Sequence, residues 1–190
     1  MLESIIKANR SYRSFKKSER IPERVLRELV DICRFAPSSV NLQPLKYKII
    51  HTEEDCAKME PHVRYAKALK NITLPPKGHE PAAYIVIFLD TAIADNLLTF
   101  RRDVGIVAQT MLLCAVDKGY GGCMIGNFDA EDVSRICSAP EGYAPQLVVA
   151  LGVPDEEIIL ELAEDGKVGY YRDENNVHHV PKRPLDEILF

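Results

Sequence analysis

The chain has 190 residues, 46% hydrophobic and 27% charged, which is enough for one well-packed domain spanning 1–190 and short for two. Its 24 basic and 28 acidic residues leave a net charge of -4, so nothing general favours nucleic acid or an anionic membrane as partner, and any anion must be met by a local basic cluster. Five cysteines, an odd set without CxxC spacing, speak against a disulfide framework or a tetrahedral zinc site.

The opening residues carry Glu3 and Lys7 in what should be the first helical turns, unlike the unbroken apolar core of a secretory signal, so a cytoplasmic protein is expected. "NRSYRSF" (9–15) follows, with two arginines and two serines. Next, "IPERVLRELVDICRFAP" spaces Val25, Leu26, Leu29, Ile32, Cys33 and Ala36 for a helix, with Pro22 suited to the first helical position and Pro37 as the stop. "LKYKII" (45–50) alternates as a strand covered on one face, and "AYIVIFLD" (83–90) reads as a strand buried on both. Residues 53–80 between them read as one or two short helices plus a loop.

From Val104 to Val116 apolar side chains occupy every helical face, which predicts a helix buried all round. At 13 residues it is too short to cross a bilayer, leaving a core or a seam between subunits. Gly119 ends it. "YGGCMIGNF" (120–128) is a glycine-rich passage, "QLVVALGV" (146–153) another buried strand, and the tail, with turn signals at Asp165-Gly166 and Asn175-Asn176, predicts a β-meander and a final helical turn.

Several chemistries fall away. The glycines at 119, 121, 122 and 126 fit neither GxGxxG nor the P-loop spacing, and composition favours a turn into a strand, with bare backbone for a flat ligand as the alternative. GxSxG is absent. The pairs Glu53-Glu54 and Asp155-Glu156 read as solvated charge at helix starts. His51, His62 and His79 are scattered, and His178 and His179 point to opposite faces of a strand, so no metal site is expected.

Two features remain. Arg10 and Arg13, with Ser11 between them, can present two guanidinium groups and a hydroxyl to a phosphate, and Lys182 with Arg183 can add charge from the far end of the chain. Either pair alone is ordinarily a solvated surface pair; both together, in a chain of negative net charge, point further toward an anion. "APSSVNLQP" (36–44) is rich in uncharged donors and acceptors, which suits the polar edge of a heteroaromatic ring or, more simply, a turn whose serines bond their own backbone.

Taken in order, "RSYRSF", "APSSVNLQP", "GYGGCMIGNFD", "VVALGVP" and "VPKRPLDEI" resemble the nitroreductase family of FMN-dependent oxidoreductases. The resemblance implies an α+β fold, a three-layer α/β/α sandwich with a mixed central sheet, as a homodimer with an exchanged C-terminal arm and FMN at the subunit interface. It implies that Arg10, Ser11 and Arg13 serve the phosphate, ribityl chain and pyrimidine edge, with Lys182 and Arg183 as further phosphate ligands. Pro37, Ser38, Ser39 and Asn41 of the other subunit would line the flavin's edge, and Ile125 with Gly126 would set backbone beside its central ring.

The implied activity passes hydride from NADH or NADPH through flavin to a small flat acceptor, a nitroaromatic or quinone, by a ping-pong mechanism with no dedicated catalytic side chain. A storage or sensor module for FMN, a scaffold that has lost the cofactor, and another flavin reaction such as dehalogenation are the alternatives. Neither nucleic acid nor membrane is an expected partner. Asn9 stands where the family often has an arginine, and Leu45 where it often has tryptophan; the family's substrate-access loop falls around Lys70 to Glu80.

Overall fold

The structure, a computed structural model, describes residues 2–66, 69 and 72–190. Four strands form the central sheet: β1 (Leu45–Ile50), β2 (Ala83–Asp90), β3 (Gly121–Ile125) and β4 (Tyr143–Gly152), in the order β1-β2-β4-β3 with all three pairings antiparallel. A parallel bridge between Ser11 and Gly122 on the outer side of β3 makes the sheet mixed at that edge. Every residue of β2 is buried, as its unbroken apolar run predicts for a strand covered on both faces.

Period-two alternation divides β2 and β4 between two cores. Ile85, Ile87, Val149 and Leu151 face helices α2 (Glu23–Cys33) and α4 (Leu97–Asp117). Tyr84, Val86, Phe88, Val148 and Ala150 face α3 (Glu53–Met59) and α5 (Ala130–Ile136). Helix, sheet, helix: the three-layer sandwich follows from both faces of the central strands being apolar. Pro22 caps α2 rather than opening it, and α2 ends at Cys33, four residues before Pro37. Of the stretch 53–80, α3 and a 3-10 turn at Glu60–His62 are formed; Lys70, where the expected access loop would begin, lies outside the described residues.

Two expectations need correction. The central helix is longer than its apolar run, and the chain does not enclose it: Val104, Val107, Ala108, Met111, Leu112 and Ala115 are buried, while Leu98, Ile106 and Gln109 lie on an exposed side. Apolar residues on every face therefore do not mean burial within one subunit. Second, the tail is not a simple meander. β5 (Ile158–Leu162) and β7 (His178–Lys182) are parallel, and β6 (Tyr171–Arg172) pairs antiparallel with β7 on its far side. Both turn signals hold: Asp165, Gly166 and Asn176 have positive φ. A helical turn at Leu185–Glu187 closes the chain.

The N-terminal cluster is laid against this frame by glycine. A Cβ on Gly121 would come within 2.5 Å of the Tyr12 ring, and one on Gly152 within 2.6 Å of Phe15. The glycine passage thus serves close approach of the 11–15 segment to the sheet edge. Tyr12 N–H donates to Gly122 O and Lys16 N–H to Val153 O.

Candidate functional site

A cavity of 370 Å³ opens where the N-terminal cluster, α4 and the C-terminal sheet meet, lined by Arg10, Ser11, Arg13, Gln109, His178 and Lys182 among others. The two ends of the chain, some 170 positions apart, converge here because β7 returns the tail beside the 10–13 segment. Three cations face one space. Among the described residues none of their charged groups pairs with a carboxylate: Arg10 donates to Ile6 O at 2.9 Å, and Arg13 to Ser11 O at 3.1 Å. The Nε atoms of both arginines are buried without a partner. An excess of unneutralised, partly desolvated positive charge is what a phosphate would balance.

Arg13 is aimed by the tail. Its Nη1 lies 3.3 Å from His178 Nε2, and its guanidinium sits 5.5 Å from the centre of the Tyr170 ring. His178 is 2% exposed, and its imidazole is pushed down to about 4, first by burial and then by the charges of Arg13 and Arg172. It is therefore neutral at ordinary pH, with Nε2 free to accept from Arg13. His179, on the opposite side of β7 as alternation requires, lies instead between Glu161 and Asp173 and is stacked on Tyr171.

Arg183 is elsewhere. It pairs with Glu187 at 2.8 Å and is exposed, so of the two C-terminal cations only Lys182 reaches the cavity. Ile125 packs into the core beneath the sheet, while its neighbour Gly126 lies open, with nothing within 4 Å of where a Cβ would be.

The 36–44 loop forms a second, smaller hollow of 140 Å³ on the other flank of α4, lined by Pro37, Ser38, Gln43, Tyr47 and Asp103 among others. Within the loop, Ser38 Oγ accepts from Gln43 N–H at 3.0 Å, as the turn reading expects. Ser38 and Ser39 hydroxyls donate to the Asp103 carboxylate at 2.7 Å each, and Ser39 N–H adds a third bond at 2.8 Å. Asp103 is 2% exposed; burial opposes its charge, but these bonds from Ser39 and Ser38 outweigh it and hold the carboxyl below its ordinary range. The anchorage fixes a strained loop: Val40, Asn41 and Gln43 all have positive φ, and the Val40 side chain projects into solvent. Asn41 accepts from the Gln43 amide.

Sequence reasoning missed Asp103, Gln109, Tyr170, His178, Glu156 and Arg172. Asp103 had a signal: an acid preceding the apolar run of a helix otherwise built for burial. Glu156 had none, and its reading as solvated helix charge is corrected, since it begins no helix and its side chain is 2% exposed. Asp155 likewise starts no helix and pairs with His79 at 2.8 Å. The five thiols are all raised by burial, Cys33 to about 12, which leaves no activated nucleophile among them. His62, Asp129 and Asp132 cluster on the surface, where Arg64 already takes both oxygens of Asp129.

Known proteins resemble this chain in sequence or in fold. "Putative NAD(P)H nitroreductase YodC" of Bacillus subtilis is 25% identical over 175 residues, covering 78% of this chain and 87% of its own. An NADPH-dependent oxidoreductase of Staphylococcus saprophyticus is 29% identical over 174 residues, 81% of this chain and 65% of that one. Among solved structures, a nitroreductase family protein from Streptococcus pneumoniae superposes with a TM-score of 0.70 at 19% identity, covering 100% of this chain and 99% of that one. A "putative nitroreductase in complex with FMN" from Exiguobacterium sibiricum gives 0.72 at 18% identity, covering 100% and 96%. The sequence model of the nitroreductase family matches residues 6–153, and on that match, with the sandwich and the converging basic cluster behind it, the chain belongs to the nitroreductase family.

Proposed function

We propose that the protein is an FMN-dependent oxidoreductase that takes hydride from NADH or NADPH and reduces a small flat acceptor, such as a nitroaromatic or a quinone, by a ping-pong mechanism. The observation that carries this reading is the convergence of Arg10, Ser11, Arg13 and Lys182 on one cavity without a neutralising carboxylate among the described residues. Support comes from relatives named NAD(P)H nitroreductase and NADPH-dependent oxidoreductase, and from a structural neighbour solved with FMN.

When bound, FMN would supply the redox chemistry of hydride and electron transfer. The chain supplies charge and position. Arg10, Ser11 and Lys182 would hold the phosphate. Arg13, kept in place by neutral His178 and the Tyr170 face, would lie at the pyrimidine edge, where a fixed cation favours the electron-rich form. Arg183, engaged by Glu187, would contribute only by exchanging that partner. Backbone at Ile125 and the open Gly126 would border the central ring, where no side chain obstructs approach.

One subunit closes only part of such a site. The Pro37–Asn41 loop lies on the other flank of α4 from the basic cavity, so Pro37, Ser38, Ser39 and Asn41 of a second copy would supply the far wall. With their hydroxyls committed to Asp103, the two serines would offer a rigid loop rather than free donors. A homodimer also explains why Leu98, Ile106 and Phe35 are left exposed, and why the final residues Leu185, Ile188, Leu189 and Phe190 carry apolar side chains into solvent, as an exchanged arm would. No described helix is long and apolar enough to cross a membrane.

Anaerobic mixing of FMN-loaded protein with NADH or NADPH tests the activity. Bleaching of the yellow colour, followed by its return on adding a nitroarene or quinone, is the expected result. Bound flavin that neither nicotinamide bleaches would reduce the protein to a flavin-binding module, and protein that never takes up FMN would leave only the scaffold.

A further inference from the structure

The main chain of the N-terminal cluster is held by an unusual anchor. Tyr12, Phe15 and Lys16 N–H groups find main-chain acceptors in Gly122, His79 and Val153. Arg13 and Ser14 N–H do not. Both donate instead to one side-chain atom, Oε1 of Glu156, the Ser14 bond at 3.1 Å and the Arg13 bond shorter. The second oxygen, Oε2, accepts from the Arg172 guanidinium, and both side chains of this ion pair are 2% exposed.

Such a pair is costly to bury, so its presence calls for a role beyond stability. Its placement supplies one. Glu156 lies four residues beyond the end of β4 and is bonded to the 13–14 segment, while Arg172 stands in β6 opposite His178 of β7. Arg13 is consequently held twice by the same stretch of tail, its backbone by Glu156 and its guanidinium by His178 and Tyr170. Electrostatics fit as well. A lone carboxylate behind Arg13 would draw the guanidinium back out of the cavity. Paired with Arg172, Glu156 contributes no net charge, and the positive field of Arg10, Arg13 and Lys182 remains for the ligand.

We propose that Glu156 is a positioning residue for the cofactor site: seated on Arg172, its carboxylate fixes the main chain at Arg13 and Ser14 and so presents the Arg13 guanidinium to the flavin's pyrimidine edge. The proposal rests on the flavin reading for what Arg13 meets, and on this structure alone for what holds Arg13.

Two double variants separate positioning from mere stability. E156M/R172M removes the buried charges and the acceptor together, replacing them with apolar side chains of similar length. E156Q/R172M removes the same charges but keeps an amide oxygen for the two N–H groups. Apolar or neutral replacement of both partners avoids the stranded charge that single variants would leave. Amide hydrogen exchange on the apoproteins and the midpoint potential of bound FMN are read on both variants and on the natural chain.

In E156M/R172M, exchange at residues 13 and 14 should quicken by about tenfold or more, FMN affinity should fall about tenfold, and the potential should move down as Arg13 leaves its place. E156Q/R172M should restore slow exchange and the natural potential. Unchanged exchange in a folded E156M/R172M overturns the positioning role, and so does a potential equal to the natural one in both variants. A natural chain that takes up no FMN overturns the flavin reading instead, and with it Arg13's target, whatever the exchange data show.

Discussion

Asp103 and Ser39 are joined by two hydrogen bonds, hydroxyl to Oδ1 at 2.7 Å and backbone N–H to Oδ2 at 2.8 Å, which tie a strained loop to helix α4. Asp103→Asn should therefore act on the loop more than on the core. The amide keeps the shape, but one of its ends can no longer accept, and a buried donor loses its partner. A cost of about 2 kcal/mol is expected, read as a lower melting temperature, with proteolysis quickening first at 38–43. If a second copy's loop walls the flavin, FMN retention should drop as well.

Arg13 and His178 give the pH dependence. A neutral, buried imidazole whose folded value lies at about 4, below its ordinary 6.5, binds fewer protons folded than unfolded. Its contribution to stability is thus intact above about 6.5 and is lost as pH falls from there toward 4. Asp103, held below the usual carboxylate range, adds a loss in the same direction at lower pH. His178→Gln keeps an acceptor for Arg13 and removes the titration. Its unfolding free energy should lose less between pH 7 and 4.5 than that of the natural chain, by on the order of 2 kcal/mol after allowing for solvent screening. Parallel acid profiles would show that His178 does not carry the effect.

Gly152→Ala places a methyl group against the fully buried Phe15 ring at 2.6 Å. Neither side can yield, because Lys16 N–H is bonded to Val153 O beside the contact. A loss of about 1–3 kcal/mol in urea unfolding is expected. Gly126→Ala, in open space, should leave stability near that of the natural chain, which makes it the control.

Ile106 and Leu98 test the dimer. Ile106→Lys puts a charge on the exposed side of α4, away from both cores. Sedimentation should show dimers of the natural chain and monomers of the variant, with little change in far-UV circular dichroism. A natural chain that sediments as a monomer would remove the second wall of the proposed site.

Much of the fold was legible because it rests on local periodicity. The strands 45–50 and 83–90 show their burial in their alternation or lack of it, and proline and glycine mark the ends of α2 and α4. What the periodicity could not convey was partnership at a distance. β7 lies parallel to β5 although a turn-rich tail reads as a meander, because sheet order depends on packing between segments and not on either one. The same limit governs the site. Arg10, Ser11, Arg13 and Lys182 were visible as basic clusters at two ends of the chain. Glu156 looked like surface charge, since the Arg172 that buries it and the orphan N–H groups that need it lie 16 and more than 140 positions away. Arg183, a cation in the same motif as Lys182, pairs with Glu187 four residues on, a contact its place in the motif does not convey.

Whether cations from both ends of the chain hold one phosphoryl group is read from an equilibrium titration of FMN into apoprotein, followed by quenching of flavin fluorescence. Against the natural chain, R10A/K182A should bind FMN more weakly by about a hundredfold or more, while riboflavin, which lacks the phosphate, should show little difference between the two proteins. Equal FMN affinities, or an equal loss for riboflavin, would mean that the two side chains do not read the phosphate.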